Sequence, residues 1–243
     1  MKQLTLILSI LLCIENYASE FTFRQANEEY NKGNYTKAIT LYDSIISNNL
    51  ESSELYYNLG NCYYKTQDWA NTVWYYEKSL KLNPNNYNAI HNLQLTKIKI
   101  KDQIEALPEL FYKKWWKNFN SLTTIKIWQI LLITSIWVIL IHQLIKRIFN
   151  YKNIYLTYLL NILLLILLCV TYSSNLQYNK KEAVIFSKSV IVNSAPSVNS
   201  TNLFSLNSGT KIEVIDKIGD WINIKIINGN IGWIKESDCK ILN

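Results

Sequence analysis

Histidine and cysteine side chains are the first candidates for chemistry in this sequence, because they bind metals, act as nucleophiles and form disulfides. The only two histidines, His91 and His142, are far apart along the chain. The four cysteines are equally dispersed: Cys13, Cys62, Cys169 and Cys239. No Cys-x2-Cys pair, His-Glu-x2-His, phosphate-binding glycine loop or Gly-x-Ser-x-Gly occurs. The sequence therefore predicts a protein that is not an enzyme and needs no metal or cofactor.

Cys62 and Cys239 leave two interpretations open. They could form a disulfide in an oxidising compartment, or they could be buried, unpaired thiols. Cys62 stands in a predicted helix at a position where a small side chain such as alanine packs, which favours the second interpretation.

Asparagine and tyrosine residues supply a different chemistry, which is the binding of an extended peptide. Asn27 and Asn61 stand 34 residues apart, on segments that we expect to be the first helices of stacked helical pairs. Their amides could hydrogen-bond a peptide backbone, neighbouring tyrosines could contact apolar side chains, and Lys65 with Lys99 could attract a carboxylate. The predicted groove comprises Phe23, Asn27, Tyr30, Asn31, Tyr57, Asn61, Tyr64, Lys65, His91 and Lys99. Each of these side chains could instead be solvated helix surface or stack against a neighbour.

The helical pairs are predicted by a pattern in residues 53–86. It reads Tyr56-x2-Leu59-Gly60-x2-Tyr63, then Thr72-x3-Tyr76, then Pro84. This spacing resembles the tetratricopeptide repeat, in which two helices pack closely at the glycine. The proline is expected to end the second helix.

The same pattern recurs when the sequence is shifted by its period of 34 residues. A second copy covers residues from about 19 to 52. A third copy has Gln94 in place of the glycine and is expected to end as a capping helix over residues 87–103. We therefore predict an all-α stack over residues 20–103, which is typical of a binding surface and not of a catalyst.

Composition indicates that part of the chain lies outside water, because 49% of its 243 residues are hydrophobic and only 18% are charged. Residues 4–14 follow Lys2 and have the length of the apolar region of a secretory signal. Residues 1–19 are therefore interpreted as an export signal. A structural first helix is the alternative, since the expected cleavage position lacks small residues.

Two longer apolar segments, residues 127–144 and 154–172, contain no fixed charge. Each is long enough to cross the hydrocarbon core of a bilayer, so we predict a two-helix transmembrane hairpin over residues 124–173. Polar members such as Gln129 and Asn161 are expected to pair across the two helices. A buried helical hairpin of a soluble protein is the alternative.

Two spans return the chain to the side it left, and an amino-terminal export signal would make that side the periplasm. Lys146, Arg147 and Lys152 mark the turn between the spans as cytoplasmic. Lysines also crowd the opposite flank, at Lys113, Lys114, Lys117 and Lys126. Charge alone favours the inverted orientation, whereas the signal, which commits the chain first, favours the periplasmic one.

The lysines on that flank alternate with aromatic residues after Pro108. This pattern predicts an amphipathic helix within residues 104–123 that lies in the headgroup layer, with its ammonium groups toward lipid phosphates. The alternative is that Trp115 and Trp116 pack against the last repeat helix.

After a predicted polar linker, residues 174–181, the pattern changes to short β-branched segments. They are residues 183–186, 189–193, 211–215, 221–226 and 231–235. Such strands, separated by glycine-containing turns, predict a small all-β barrel over residues 182–243.

The glycine-containing turns resemble those of bacterial SH3-like domains. They are Gly209-Thr210-Lys211, Gly219-Asp220-Trp221 and Gly232-Trp233-Ile234. Trp221 and Trp233 are either ligand contacts or core residues. The polar stretch of residues 193–207 is longer than that family leads us to expect.

The order of these segments is itself informative. It runs from an export signal through two tetratricopeptide units and Leu107-Pro108-Glu109-Leu110-Phe111 to Trp115-Trp116, a membrane hairpin and an SH3-like barrel. This order resembles the BatE proteins of the bacterial aerotolerance (Bat) operon. The resemblance implies an inner-membrane protein facing the periplasm, beside von Willebrand-type membrane proteins and a MoxR-class ATPase, in envelope or oxidative-stress tolerance.

We therefore expect a multidomain protein with all-α tetratricopeptide repeats, a two-helix transmembrane hairpin and a C-terminal all-β SH3-like barrel. Its expected function is that of a membrane-anchored periplasmic adaptor, with von Willebrand-type Bat proteins, other Bat-operon products and membrane lipid as partners. The alternative is an envelope-anchoring or sensing protein whose barrel binds peptidoglycan. The net charge of +7 comes mostly from membrane-flanking lysines and predicts no nucleic-acid partner.

Overall fold

The computed structural model describes residues 19–102, 104–105, 107–149 and 153–242. The predicted export signal therefore lies outside the described residues, apart from Ser19. The helices are α1 (19–31), α2 (Tyr35–Ser47), α3 (Ser53–Lys65), α4 (Trp69–Leu82), α5 (Tyr87–Lys99), α6 (Phe111–Asn120), α7 (Ile125–Ile148) and α8 (Ile154–Tyr178). The described residues form two compact units, one drawn from residues 19–82, 86–102, 104–105, 107 and 181–242, and the other from residues 83–85, 108–149 and 153–180.

Helices α1 to α5 form the repeat module, with two helical pairs followed by a single helix as predicted. Gly60 of α3 lies against the ring of Tyr76 in α4, where a Cβ atom would overlap the ring. The Ser52 hydroxyl caps α3 by accepting a hydrogen bond from the Leu55 backbone N–H at 3.0 Å. Gly33 joins α1 to α2 at a φ of +83°, a conformation that favours glycine.

Helix α5 ends earlier than the predicted limit of residue 103. Its last residue is Lys99, and Ile100 continues in extended conformation with ψ of 140°. The change of direction buries Ile100, which is only 5% exposed and lies against Gly209. The packing of this side chain therefore outweighs continuation of the helix.

The second unit contains α6, α7 and α8. By length and composition α7 and α8 are apolar enough to cross a membrane, with mean hydropathies of 1.8 and 2.4. Only 11% of the most apolar part of α7, and 6% of that of α8, is buried. Both helices extend beyond the predicted spans.

The predicted linker over residues 174–181 is wrong for most of its length, because α8 continues to Tyr178. Ser173 is held there by two hydrogen bonds, from Trp116 Nε1 and from Asn120 Nδ2, each at 2.7 Å. Residues 175–178 of α8 are exposed, so their polar composition reflects an accessible helix surface and not a change to irregular structure.

The polar contact between α7 and α8 differs from the predicted one. His142 Nε2 lies 3.2 Å from Thr157 Oγ1 and joins the two helices. Asn161 instead donates from Nδ2 to the Thr157 carbonyl within α8, and both Asn161 and Gln129 are exposed. Sequence reasoning identified polar residues in the spans but not which of them face the neighbouring helix.

The described strands form the β module, a seven-stranded antiparallel sheet consistent with the SH3-like fold. The strands are β1 (Glu182–Ile185), β2 (Ser189–Asn193), β3 (Asn202–Asn207), β4 (Lys211–Ile218), β5 (Trp221–Lys225), β6 (Ile231–Lys235) and β7 (Cys239–Leu242), in the spatial order β3-β2-β6-β5-β4-β1-β7. The sequence predicted five of them. It missed β3, which lies inside the polar stretch, and β7, which is only 4 residues long.

The repeat module and the β module pack against each other within the first unit. Helix α4 lies along β1 and β7, and Trp74 Nε1 donates to the Ile241 carbonyl at 3.4 Å. Lys81 Nζ donates to the Leu242 carbonyl at 3.2 Å. Val184 and Leu242 of the β module are buried in the apolar core of the repeats. No sequence pattern predicted this contact.

Charged groups reinforce the contact. Lys211 Nζ lies 2.8 Å from Glu77 Oε2 of α4 and 2.7 Å from Glu182 Oε2 of β1. Burial alone would lower the pKa of Lys211, but the two carboxylates outweigh it and raise that pKa above its usual value. Asp102, which follows α5, accepts hydrogen bonds from the Asn207 backbone N–H at 2.5 Å and from Thr210 Oγ1 at 2.8 Å.

We predict that Lys211→Met lowers the free energy of unfolding by about 1–3 kcal/mol, because it leaves two carboxylates facing each other without a cation. Lys217→Met is the matched control, since Lys217 pairs with Glu236 at 2.6 Å on the exposed surface. The control should change stability by less than about 0.5 kcal/mol. Urea unfolding of the full chain in detergent measures both.

The pH dependence follows from the direction of the pKa shift. Because the folded pKa of Lys211 is raised, its contribution is complete below the pKa of an unfolded lysine and is lost as the pH rises through the folded value. The difference between wild type and Lys211→Met should therefore persist at neutral pH and shrink only in strong alkali. Equal stabilities of the two lysine variants at neutral pH would contradict the prediction.

Candidate partner-binding site

The first-helix side chains of the two repeats are held by a repeated hydrogen-bond pattern, which we name the amide ladder. In the first repeat, Asn27 Oδ1 accepts hydrogen bonds from the Tyr42 hydroxyl at 2.5 Å and from Asn58 Nδ2 at 3.0 Å. Tyr42 belongs to the second helix of the same repeat, and Asn58 belongs to the first helix of the next. The ladder therefore joins helices within and between repeats.

The second repeat has the same arrangement, displaced by the repeat period. Asn61 Oδ1 accepts from the Tyr76 hydroxyl at 2.7 Å and from Asn92 Nδ2 at 2.9 Å. Burial raises the pKa of Tyr76, as it does that of Tyr42, so both phenols stay protonated and donate. The amide ladder thus sets the spacing of α1, α3 and α5.

A cavity of about 320 Å³ opens beside the ladder. Its described lining residues are Asn27, Tyr30, Asn31, Tyr42, Asn58 and Asn61. Four of the predicted groove residues are among them, while Tyr42 and Asn58 were missed. Their positions 34 residues before Tyr76 and Asn92 were the signal that could have identified them.

Of the predicted aromatic contacts, Tyr30 lines the cavity, whereas Phe23, Tyr57 and Tyr64 pack inside the repeats. Phe23 lies 5.7 Å from Tyr42 between ring centres, and Tyr57 lies 6.0 Å from Tyr76. Tyr64 meets Trp69 edge to face at 5.6 Å. These rings are therefore occupied by second-helix aromatics, which is the stacking alternative left open by the sequence.

The predicted charged contacts, Lys65, His91 and Lys99, are exposed but are not among the described lining residues. The lining residues that the structure describes carry amides and phenols. Asn27 Oδ1 and Asn61 Oδ1 each accept two hydrogen bonds within the ladder. These two residues can therefore bind a ligand only through their Nδ2 donors. Amide and phenol groups of this kind suit the C=O and N–H groups of a peptide backbone better than they suit a carboxylate.

A second candidate surface lies on the outer face of the β module. The core face of β5 carries Ile222 and Ile224, so alternation places Trp221 and Asn223 on the opposite face. Asn223 is directly opposite Trp233 of β6, which is itself opposite Asn193 of β2. Directly opposed residues of antiparallel strands share a face.

This row of three residues contains unpaired polar atoms. The Oδ1 atoms of Asn193 and Asn223 are buried and accept no hydrogen bond from the part of the chain that the structure describes. Trp233 between them is half-buried, and Trp221 is its diagonal neighbour across the strand pair. We name Asn193, Asn223, Trp221 and Trp233 the tryptophan face.

The cysteines in the described ranges are free thiols: Cys62, Cys169 and Cys239. Burial raises the pKa of Cys62 to about 12 and that of Cys239 to about 11. Both thiols are therefore protonated at neutral pH and are weak nucleophiles. Within residues 19–242, excluding the few that are not described, no three histidine, cysteine or acidic side chains are grouped to hold a metal ion.

Comparison with protein families identifies two parts of the chain. A family model described as Tetratricopeptide repeat matches residues 53–86. One described as Bacterial SH3 domain matches residues 188–239. The chain therefore carries a tetratricopeptide repeat and a bacterial SH3 domain. No curated protein matches it.

The limits of these matches correspond to the fold. The repeat match covers α3 and α4, the pair whose sequence pattern is clearest. The SH3 match begins after β1 and ends at the first residue of β7. The two strands that contact α4 thus lie at or beyond the limits of the recognised domain. Repeats and SH3 domains of these kinds indicate protein or peptidoglycan binding.

The amide ladder yields a direct test. Tyr76→Phe removes the hydroxyl that donates to Asn61 and should lower the free energy of unfolding by about 1 kcal/mol. Tyr87→Phe is the control, because Tyr87 is 77% exposed. Combining Tyr76→Phe with Asn61→Ala should cost less than the sum of the two single changes, since they remove the same bond. If Tyr76→Phe is as neutral as Tyr87→Phe, the ladder does not stabilise the repeats.

Proposed function

We propose that this protein is a membrane-anchored adaptor whose repeat cavity binds an extended segment of a partner protein. The observation that carries the proposal is the set of amide and phenol groups around the cavity, without a charged side chain among the described lining residues. An extended peptide presents N–H and C=O groups at regular intervals, which such a lining can hydrogen-bond. The amide ladder holds these groups in place before the partner arrives, which lowers the entropy lost on binding.

Membrane anchoring is supported by the exposure of α7 and α8. Apolar helices of 24 and 25 residues with almost no buried surface would present a very large apolar patch to water. Placing them in a bilayer removes that cost, and their lengths fit the hydrocarbon core. The contact between α4 and the β module supports a hairpin, because it requires the segments before α7 and after α8 to share one compartment.

A periplasmic orientation and a place among Bat proteins rest on the resemblance to BatE proteins. The matched repeat and SH3 domain occur in the order that this resemblance requires, on either side of the two apolar helices. We infer that the partners include von Willebrand-type Bat membrane proteins. Confinement to the same membrane would reinforce a weak groove interaction.

The test uses Asn31→Arg, because Asn31 lines the cavity, is exposed and takes no part in the ladder. Asn61→Ala is unsuitable, since it would also break the ladder. Asn88→Arg is the matched control, as Asn88 is an exposed helical asparagine outside the described lining of the cavity. Spheroplasts expressing each form are treated with a membrane-impermeant crosslinker, and captured proteins are identified by mass spectrometry.

We expect Asn31→Arg to lose the partner captured by wild type and by Asn88→Arg, because the longer charged side chain blocks the cavity. An unchanged profile would exclude the cavity as the binding site. Capture that occurs only with a membrane-permeant reagent would instead place the repeats in the cytoplasm and overturn the periplasmic orientation.

The tryptophan face favours a second candidate function, the binding of cell-wall peptidoglycan. Trp221, Asn223 and Trp233 are half-buried, so a ligand can contact them, and the amide of Asn223 can hydrogen-bond the N-acetyl and peptide groups of peptidoglycan. The tryptophan rings offer apolar surface for the rest of such a ligand.

This candidate predicts that the full chain in detergent sediments with purified peptidoglycan. Trp233→Leu should weaken retention by about fivefold or more, equivalent to about 1 kcal/mol. Trp137→Leu, which changes an exposed tryptophan of α7, should leave retention unchanged. Retention equal for wild type and Trp233→Leu would remove the tryptophan face from the proposal and leave the adaptor function unaffected.

A further inference from the structure

Helix α6 places its aromatic and its charged side chains on opposite sides. At 3.6 residues per turn, its aromatic side chains fall within an arc of about 140°. They are Phe111, Tyr112, Trp115, Trp116 and Phe119. The lysines of α6 occupy the opposite side: Lys113, Lys114 and Lys117. Such a helix has one face for an apolar phase and one for anions.

Hydrogen bonds fix α6 to the end of the helical hairpin. Ser173 of α8 accepts from Trp116 Nε1 and Asn120 Nδ2, each at 2.7 Å. Trp128 of α7 donates from Nε1 to the Asn120 carbonyl at 3.1 Å. The ring of Phe119 lies 5.7 Å from that of Trp128. Helix α6 is thus held where α7 begins and α8 nears its end, which is the level of the headgroups if the hairpin crosses a bilayer.

Polar atoms around this junction have no partner in the described chain. They are Asn120 Oδ1, Thr171 Oγ1 and Ser174 Oγ. Asn120 and Ser174 are only 6% and 8% exposed. Buried polar groups are normally hydrogen-bonded, so these atoms indicate a polar group that the described residues do not supply. Two of the three are hydroxyls, which can donate to an anion.

The excess of basic residues in this unit indicates that the missing polar group is an anion. Residues 108–180 contain a single acidic residue, Glu109, against eight basic ones. Lys117 lies 3.5 Å from Glu109. Lys113 and Lys114 have no carboxylate partner among the residues that the structure describes. The lysines of α6 therefore favour an anionic group in the headgroup layer, where phosphates are the abundant anions.

We propose that α6 and its junction with α8 form a binding site for an anionic phospholipid. The lysines of α6 bind the phosphate and the headgroup region, while Thr171 and Ser174 donate hydrogen bonds to the same headgroup. The exposed rings of Phe111 and Trp115 lie among the upper acyl chains. This inference rests on the membrane insertion of the hairpin in the proposed function, and it adds a preference for lipid charge.

The experiment reconstitutes the full chain into nanodiscs that contain phosphatidylcholine alone or mixed with phosphatidylglycerol. Native mass spectrometry then measures which lipid stays bound after the disc is removed. We expect phosphatidylglycerol to be retained over phosphatidylcholine by roughly tenfold or more, because each of several lysines near an anionic headgroup contributes to the preference.

Two variants and a control locate the site. Lys113→Gln with Lys114→Gln and Lys117→Gln should abolish the preference, and Thr171→Val with Ser174→Ala should reduce it several-fold. Lys97→Gln with Lys101→Gln and Lys188→Gln makes the same change of charge on exposed lysines of the other unit and should leave it intact.

The outcomes separate this inference from the proposed function. Insertion of wild type into both kinds of nanodisc without a lipid preference would overturn the lipid site and leave anchoring intact. A preference that survives in the α6 lysine variant would also overturn it. Failure of wild type to insert into either disc would instead overturn the anchoring itself.

Discussion

The packing of α4 against β1 and β7 is the contact on which the rest of the architecture depends. Helix α4 precedes the two apolar helices along the chain, and the two strands follow them. Trp74 and Lys81 hydrogen-bond the carbonyls of β7, and Lys211 joins the carboxylates of Glu77 and Glu182. Any membrane arrangement compatible with this contact has an even number of crossings between α4 and β1. Loop charges, which favour different orientations at the two flanks, provide no such constraint.

The amide ladder constrains the repeats from within, through partly buried hydrogen bonds. Asn27 and Asn61 are partly buried, and each carbonyl oxygen is used twice within the fold. In a low-dielectric interior such hydrogen bonds are strong, and a buried polar group that loses its partner lowers the stability of the fold. The same residues therefore fix the helix spacing and orient the amide donors that line the cavity, so stability and recognition are coupled at these positions.

Local and periodic signals accounted for what the sequence predicted correctly. The repeat of residues 53–86, the two apolar segments, and strands β2 and β6 all follow from spacing along the chain. The missed features depend on distant partners. Nothing periodic links Trp74 to Ile241 or Asp102 to Asn207, and the same is true of the hydrogen bonds that join α6 to Ser173 of α8. Four of the cavity residues were predicted, whereas aromatic rings such as Tyr57 were not separated from ligand contacts, since packing and binding use the same residue type.

The strands that cover Trp74 are synthesised after both apolar helices. The repeat helices are complete long before Cys239–Leu242 leaves the ribosome, so the surface of α4 stays uncovered while both apolar helices are being made. Exposed tryptophan and aliphatic side chains on a half-made chain attract chaperones and promote aggregation. A chain that stalls before β7, or whose β module does not pack on α4, leaves this apolar surface accessible to proteases. Burial of Trp74 thus distinguishes molecules whose β module is packed on α4 from those in which it is not.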